Sequence, residues 1–386
     1  MKHVSRLMML SAAMLMAMSL TACGNTNTDD GGDTTDTIYK DASGYSIDTS
    51  TFESDKKLTV YGGCEEPYLK AVTAAFAKKF GVTCNYIRLS SGEIETKIKE
   101  ENGNPSADVL FGGTTDPYNA LKTANLLEKY EAQRASHIKE SYFKDSDHYW
   151  HGIYKGILGF MYNKKRVSEL NLDVPQDWDD LIKDEYKGKI TWSNPSTAGT
   201  AKLVINTVVQ MKAAGKKVGG KYDDTAAMEY FKKLDANTVE YTKSGSGASK
   251  QVGKGECVIG IGFLHDVIYQ MVDQGYDQEI GIVSPSSGTA FEVGATAILK
   301  GAKHPNIAKA FEEFALSPEC VEMGANNGSY QFLVLDDAKQ PQVAINAGLS
   351  TIKTIDYDFD DAKTNTTNYV QDFLKNVNQD DRFKTA

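Results

Sequence analysis

From about residue 56 onward, short apolar runs alternate with segments whose apolar residues recur every three or four positions. Residues 58–61 form the first run, stopped by Gly62 and Gly63. A helix is predicted from Pro67, with Leu69, Val72, Phe76 and Phe80 on one face at helical spacing. A second strand over 82–89 runs into Ser90, Ser91, Gly92 and Glu93, which open a helix carrying Ile94 and Ile98. A third over 107–111 is closed by Gly112 and Gly113, and Asp116 with Pro117 starts the next helix in the order that helix beginnings favour. Residues 145–154 read as an exposed loop. The rhythm resumes near 188, with strands predicted over 189–192, 239–242 and 257–261 and helices from Gly199, over 226–234 and from His265. Residues 280–283 and 292–299 read as extended, and helices are predicted over 307–315, from Pro318 and over 369–377. Such alternation predicts an α/β fold whose parallel strands carry helices on both faces.

In an open parallel sheet the ligand crevice lies beyond the carboxyl ends of the strands. Those ends share one chemistry here: glycines and small hydroxyl residues at helix starts. Ser90 and Ser91, Gly113 and Thr114, Ser196, Thr197 and Thr200, and Ser244 and Gly245 are the candidates. Each exposes backbone amides and the positive end of a helix dipole. Any one such loop is accounted for by helix capping alone. Taken together, from both halves of the chain, they favour an anionic or hydroxyl-rich ligand in a cleft.

The ends of the chain set its compartment. Lys2 and Arg6 precede an apolar run over 7–19, shorter than the ~20 residues a membrane-spanning helix needs. It fits a secretory signal, 1–22. Leu20, Thr21, Ala22 and Cys23 resemble the lipobox of bacterial lipoproteins, which implies cleavage before Cys23 and lipidation of its sulfur. Two acyl chains would hold the protein at a membrane. Residues 24–54, rich in Asp, Thr, Gly and Asn, are expected to form a mobile tether. Removing 1–22 lowers Lys+Arg from 42 to 40 against 52 Asp+Glu, so the remaining charge is −12. That balance argues against nucleic acid. Cys64, Cys84, Cys257 and Cys320 are far apart with no CxxC, which excludes zinc-ribbon and thioredoxin-like sites. One disulfide or four free thiols both remain open. The roughly 330 residues after the tether are enough for two domains.

The runs Leu89 to Glu93 and Ala107 to Gly113 resemble the first lobe of type II periplasmic binding proteins, in the ferric, phosphonate and sugar-phosphate branch. Trp178 to Leu181, Tyr186 to Ile190, Asn194 to Ala201, Tyr241 to Gly245, Gly260 to Asp266 and Gly328 to Gln331 continue the likeness. It implies an α/β type II periplasmic-binding-protein fold with two lobes, each built on a mixed, mainly parallel sheet, joined by two crossing hinge segments. The lobes are expected over 56–155 with 285–386, and over 156–284. The function implied is that of the solute-binding subunit of an ABC importer, acting as a monomer with membrane permease and ATPase subunits as partners, and with no cofactor.

Ferric binders of this branch use adjacent tyrosines after the strand that ends here near Gly262. This chain has Phe263, Leu264 and His265, and no two of its tyrosines adjoin. Ferric ion prefers anionic oxygen ligands. His265, Asp266 and Glu292 instead resemble the hydroxyl-binding residues of hexose-phosphate binders, which implies a sugar phosphate or related organophosphate or phosphonate. Iron stays as the alternative. Capping by His265 and Asp266, a hinge role for Glu292 and a core role for Trp192 are the structural alternatives. His148 and His151 offer a surface metal site as a minor reading. An enzyme using Cys64 and His265 has no surrounding signature. Gly260 to Gly262 and Gly253 to Gly255 fall short of nucleotide-binding motifs.

Overall fold

The computed structural model describes residues 37–377. The predicted signal, 1–22, and Cys23 lie outside the described residues. The described chain opens with a small hairpin, β1 (Ile38–Lys40) and β2 (Ser46–Asp48). Then come β3 (Lys57–Gly62), α1 (Glu66–Phe80), β4 (Thr83–Arg88), α2 (Ser91–Glu101), β5 (Val109–Phe111) and α3 (Thr115–Thr123). A long strand, β6 (His151–Asn163), leads through α4 (Lys164–Glu169) to β7 (Ile190–Ser193) and α5 (Gly199–Ala213). A short ribbon, β8 (Lys217–Val218) and β9 (Lys221–Tyr222), precedes α6 (Thr225–Asn237) and β10 (Thr238–Thr242). They are followed by α7 (Gly247–Lys254), β11 (Ile259–Phe263), α8 (Leu264–Val272) and β12 (Ile280–Val283). The last part comprises β13 (Phe291–Ile298), α9 (Pro305–Ala315), α10 (Pro318–Glu322), β14 (Phe332–Leu333), α11 (Gln342–Asn346) and α12 (Phe359–Asn376).

The expected architecture is present. Strands β4, β3 and β5 pair in parallel to form the sheet of the first lobe, and β10, β7 and β11 form that of the second. Between them β6 and β13 run antiparallel, so a single sheet has the order β10-β7-β11-β6-β13-β5-β3-β4. Strand β6 does the joining. Residues 151–157 pair with β13, while 158–162 pair with β11. In α1, Leu69, Val72, Phe76 and Phe80 are buried as their spacing predicts, and Gly81 ends the helix at φ +65. Burying each such side chain contributes roughly 1.5–3 kcal/mol.

Four sequence expectations need correction. Residues 37–54 are no tether: Tyr45 and Ile47 enter the core of the first lobe, with Tyr39 and Phe52 packed against it. Lys79 Nζ donates to Tyr39 Oη at 2.8 Å, and the Arg134 guanidinium holds the Ser43 carbonyl. A polar average conceals four well-placed aromatic and aliphatic side chains.

Residues 151–154 are the start of a buried strand rather than a loop. His151 Nδ1 lies 2.8 Å from Glu312 Oε1, so it does not join His148 in a surface metal site. Gly152 hides the strand pattern, and packing requires it: a Cβ there would stand 2.4 Å from the Phe143 carbonyl oxygen.

Helix α12, expected with the first lobe, packs on the second, where Phe373 lies edge-on to Trp192 and Phe231. The chain reaches it by a third crossing, at which Ile355 N donates to Thr289 O (2.9 Å) and Thr289 N to Lys353 O (3.1 Å). The fourth correction is the extent of α7, marked in the sequence only at its start by Ser244 and Gly245 because glycines at 247 and 253 interrupt its apolar face. Of the two cysteine readings left open, the structure has the free thiols: Cys64, Cys84, Cys257 and Cys320 are all unpaired.

Candidate ligand-binding site

Strands β3, β4, β5, β7, β10 and β11 each feed a helix: α1, α2, α3, α5, α7 and α8 respectively. The residues at those six junctions line one cavity between the lobes. In α1, α3, α5, α7 and α8 the capping side chain makes no hydrogen bond to the helix. Their terminal amides and positive dipole ends are therefore available to an anion. Helix α2 differs, because Ser90 and Glu93 cap it reciprocally. Ser91 Oγ accepts from Thr114 N at 3.1 Å and ties the second junction to the third.

The lobes touch across the cavity mouth. Lys243 of the second lobe lies 2.9 Å from Glu93 of the first, and Lys202 lies 3.5 Å from Glu95. A Cβ on Gly92 would stand 2.8 Å from the carbonyl oxygen of Thr197. This is the closed form.

Ionisable groups also line the cavity. Glu292 on β13 pairs in register with Gly156 on β6. A Cβ at Gly156 would approach His265 Cε1 to 2.5 Å and Glu292 Oε1 to 3.0 Å, so only glycine leaves both side chains in place. His265 stacks on Phe263 with ring centres 5.1 Å apart, and its Nε2 is 3.6 Å from Asp266 Oδ1. Arg88, from the end of β4, donates through Nε to the Cys64 carbonyl at 3.3 Å, and Glu65 completes the lining.

Burial dominates the electrostatics. It pushes the His265 imidazole down to about 3 and the Asp266 carboxyl up to about 7. Burial, then the charges of Asp266 and Asp116, hold Glu292 well above the usual carboxylate range. Glu65 is raised by burial and by Asp266. Thr114 Oγ1, His265 Nδ1 and Glu292 Oε2 are buried without a hydrogen-bond partner among the described residues. Unmatched buried polar atoms cost about 1–3 kcal/mol each unless a ligand pairs with them.

A stability prediction follows from Asp266. Unfolded, the carboxyl loses its proton near pH 4; folded, it keeps it to about 7. The folded state then holds the extra proton across that window, so stability falls as pH rises through it. Asp266→Asn should match the parent at pH 4 and exceed it at pH 8, by up to about 4 kcal/mol at ~1.36 kcal/mol per unit. Urea titrations at the two pH values measure this. Equal stability at pH 8 would mean that the buried charge is compensated.

Residues 71–348 match the model of the family described as bacterial extracellular solute-binding protein. The chain belongs to that family. It is similar to the periplasmic binding protein AfuA of Actinobacillus pleuropneumoniae, solved with exogenous fructose-6-phosphate bound: 33% identity, TM-score 0.76, covering 84% of this chain and 99% of that one. A putative 2-aminoethylphosphonate-binding periplasmic protein of Salmonella typhi is 30% identical over 51% of this chain and 53% of its own length. A ferric binding protein from Campylobacter jejuni, 21% identical with TM-score 0.68 over 82% of this chain and 98% of that one, shares the fold. This solute-binding protein thus acts outside the cytoplasm. No helix among its described residues is long and apolar enough to cross a membrane.

Most sequence candidates converge in the solute-binding protein. Ser90, Ser91, Gly113, Thr114, Thr200, Ser244, Gly245, His265, Asp266 and Glu292 all line the cavity. Ser196 and Thr197 do not. Ser196 is exposed, and Thr197 Oγ1 turns away to donate to the Lys243 carbonyl at 2.6 Å, leaving Ala198 and Gly199 at the wall. Trp192 is core: it is fully buried among Phe231, Tyr241 and Phe373.

Sequence reasoning missed Arg88 and Tyr154 as site residues; Cys64, Glu65 and Ser246 stand in strand-end loops that it placed at the crevice, and Gln331 in a run of the family resemblance, without being singled out. Only register exposes Arg88, which pairs with Gly62 at the carboxyl end of β3. Cys64 lines the same cavity as His265, but burial pushes its thiol up to about 12, away from the thiolate a nucleophile needs.

Proposed function

We propose that this protein captures a sugar phosphate, or a closely related organophosphate, and delivers it to the permease of an ABC importer. The observation that carries this is one cavity lined both by helix amino termini and by buried ionisable side chains. The helix amino termini suit a phosphoryl group. His265, Asp266, Glu292 and Glu65 suit sugar hydroxyls, which both donate and accept. Thr114 Oγ1, His265 Nδ1 and Glu292 Oε2 are the atoms left for the ligand to satisfy. The similarity to a fructose-6-phosphate-bound relative supports the reading. Ligand contacts to both lobes stabilise the closed form, which docks on the permease while an ATPase drives release across the membrane. Cys23, lipidated, holds the protein at the membrane surface.

A second reading has one observation in its favour. Glu65, Asp266 and Glu292 face the cavity against the single guanidinium of Arg88, and three carboxyls could hold the ammonium of an aminoalkylphosphonate. Iron fits less well, because the tyrosine lining the cavity, Tyr154, already accepts from Gly113 N at 2.9 Å.

A thermal-shift titration against hexose phosphates, 2-aminoethylphosphonate, inorganic phosphate and ferric citrate tests this. At 100 times its dissociation constant a bound ligand adds roughly 2.7 kcal/mol. Hexose phosphates should raise the melting temperature of the parent by several degrees and leave His265→Ala and Glu292→Ala unmoved. A shift by the phosphonate or ferric citrate alone would replace the sugar-phosphate reading.

A further inference from the structure

The ligand cavity encloses only about 60 Å³ of free space. At ~10–15 Å³ per water, that is room on the order of five waters, enough for a phosphoryl group and the sugar hydroxyls nearest it but not for a whole sugar. Beside it, between α3, β13 and the first turn of α12, lies a second hollow of about 410 Å³. The two share Thr114 and Glu292 as a common wall. Both residues are more than nine-tenths buried, and Thr114 Oγ1 and Glu292 Oε2 lack partners. The boundary between the compartments is therefore where polar groups await a ligand.

The second hollow has the lining of a carbohydrate subsite. Tyr142, 39% exposed, stacks on Phe359 with ring centres 5.1 Å apart and planes 4° apart. This pair presents flat apolar carbon that suits the C–H face of a sugar. Across from it the Asp116 carboxylate, in the first turn of α3, takes no hydrogen bond among the described residues. Charge in the hollow is balanced: Asp145 is held by Lys122 at 2.7 Å and Asp358 by Lys217 at 2.9 Å, which leaves Asp116 and Asp360 with Lys144 and Lys363. Sugar hydroxyls can donate to such acids and accept from such lysines.

We propose that the ligand spans both compartments: a phosphate monoester with one phosphoryl group and a hydroxyl-rich body the size of a disaccharide, whose distal sugar rests on Tyr142 beside Asp116. This rests on the sugar-phosphate reading and extends it to a size class.

Calorimetric titration of the purified protein with trehalose-6-phosphate, glucose-6-phosphate and inorganic phosphate tests it. The disaccharide ester should bind at least tenfold tighter than the hexose ester. Tyr142→Ala and Asp116→Asn should each remove that advantage, weakening the disaccharide ester at least tenfold and the hexose ester less than threefold. Tighter binding of the hexose ester, or equal weakening of both by the variants, overturns the two-compartment ligand and leaves the sugar-phosphate reading standing. Binding of neither ester overturns both.

Discussion

Replacing Gly92 by valine is expected to weaken ligand capture at least about a hundredfold while leaving each lobe folded. Gly92 lies in the first turn of α2 with ordinary helical geometry, so its own lobe accepts a side chain. What does not accept it is the other lobe: a Cβ would sit 2.8 Å from the Thr197 carbonyl oxygen and 3.2 Å from its Cα. The obstacle is backbone, which cannot turn aside as a side chain can. The variant therefore stays open, and the ligand loses its contacts to one wall. A hundredfold loss corresponds to about 2.7 kcal/mol, the scale of one or two buried hydrogen bonds to the far lobe. Small-angle scattering with saturating ligand would report a larger radius of gyration than for the parent, and calorimetry the weaker binding. Unchanged affinity would mean that closure does not bring α2 against Thr197.

Trp192→Ala should cost about 3–5 kcal/mol of stability, the range for large buried aromatics. The indole is fully buried, stacks beside Phe231 at 6.2 Å, meets Phe373 edge-on at 5.7 Å and donates through Nε1 to Thr238 Oγ1 at 3.1 Å. Its loss opens a cavity between β7, α6 and α12. Urea unfolding followed by circular dichroism measures the loss, and Trp192→Phe should leave ligand affinity unchanged. A cost below 1 kcal/mol would show that α12 is not seated on this residue.

Local pattern carried the lobes and most of the cavity. Helical spacing from Leu69 to Phe80 and the small residues after each strand were legible because they depend on neighbours in sequence. What was not legible depends on distant partners. Arg88 ends a strand whose residues alternate between exposed and half-buried, like many solvated strands. Its place at the cavity comes from pairing with β3. Gly152 and Gly156 broke the pattern of β6 for reasons that lie in Phe143, His265 and Glu292. Tyr45 looked like part of a tether until its seat in the core of the first lobe was visible. Ser196 shows the converse, a residue of the right type that the loop turns outward.

The shared strand has a consequence for how the protein assembles. The first lobe is finished only when β13 returns to β5, where Thr296 Oγ1 bonds the Leu110 carbonyl across 186 positions of sequence. Contacts so distant slow folding, since loop-closure entropy is lost before they form. The amino-terminal half therefore cannot lock into a finished lobe before the rest has followed. The second lobe, mostly one uninterrupted stretch capped late by α12, should gain its core first and serve as the platform on which the first lobe closes.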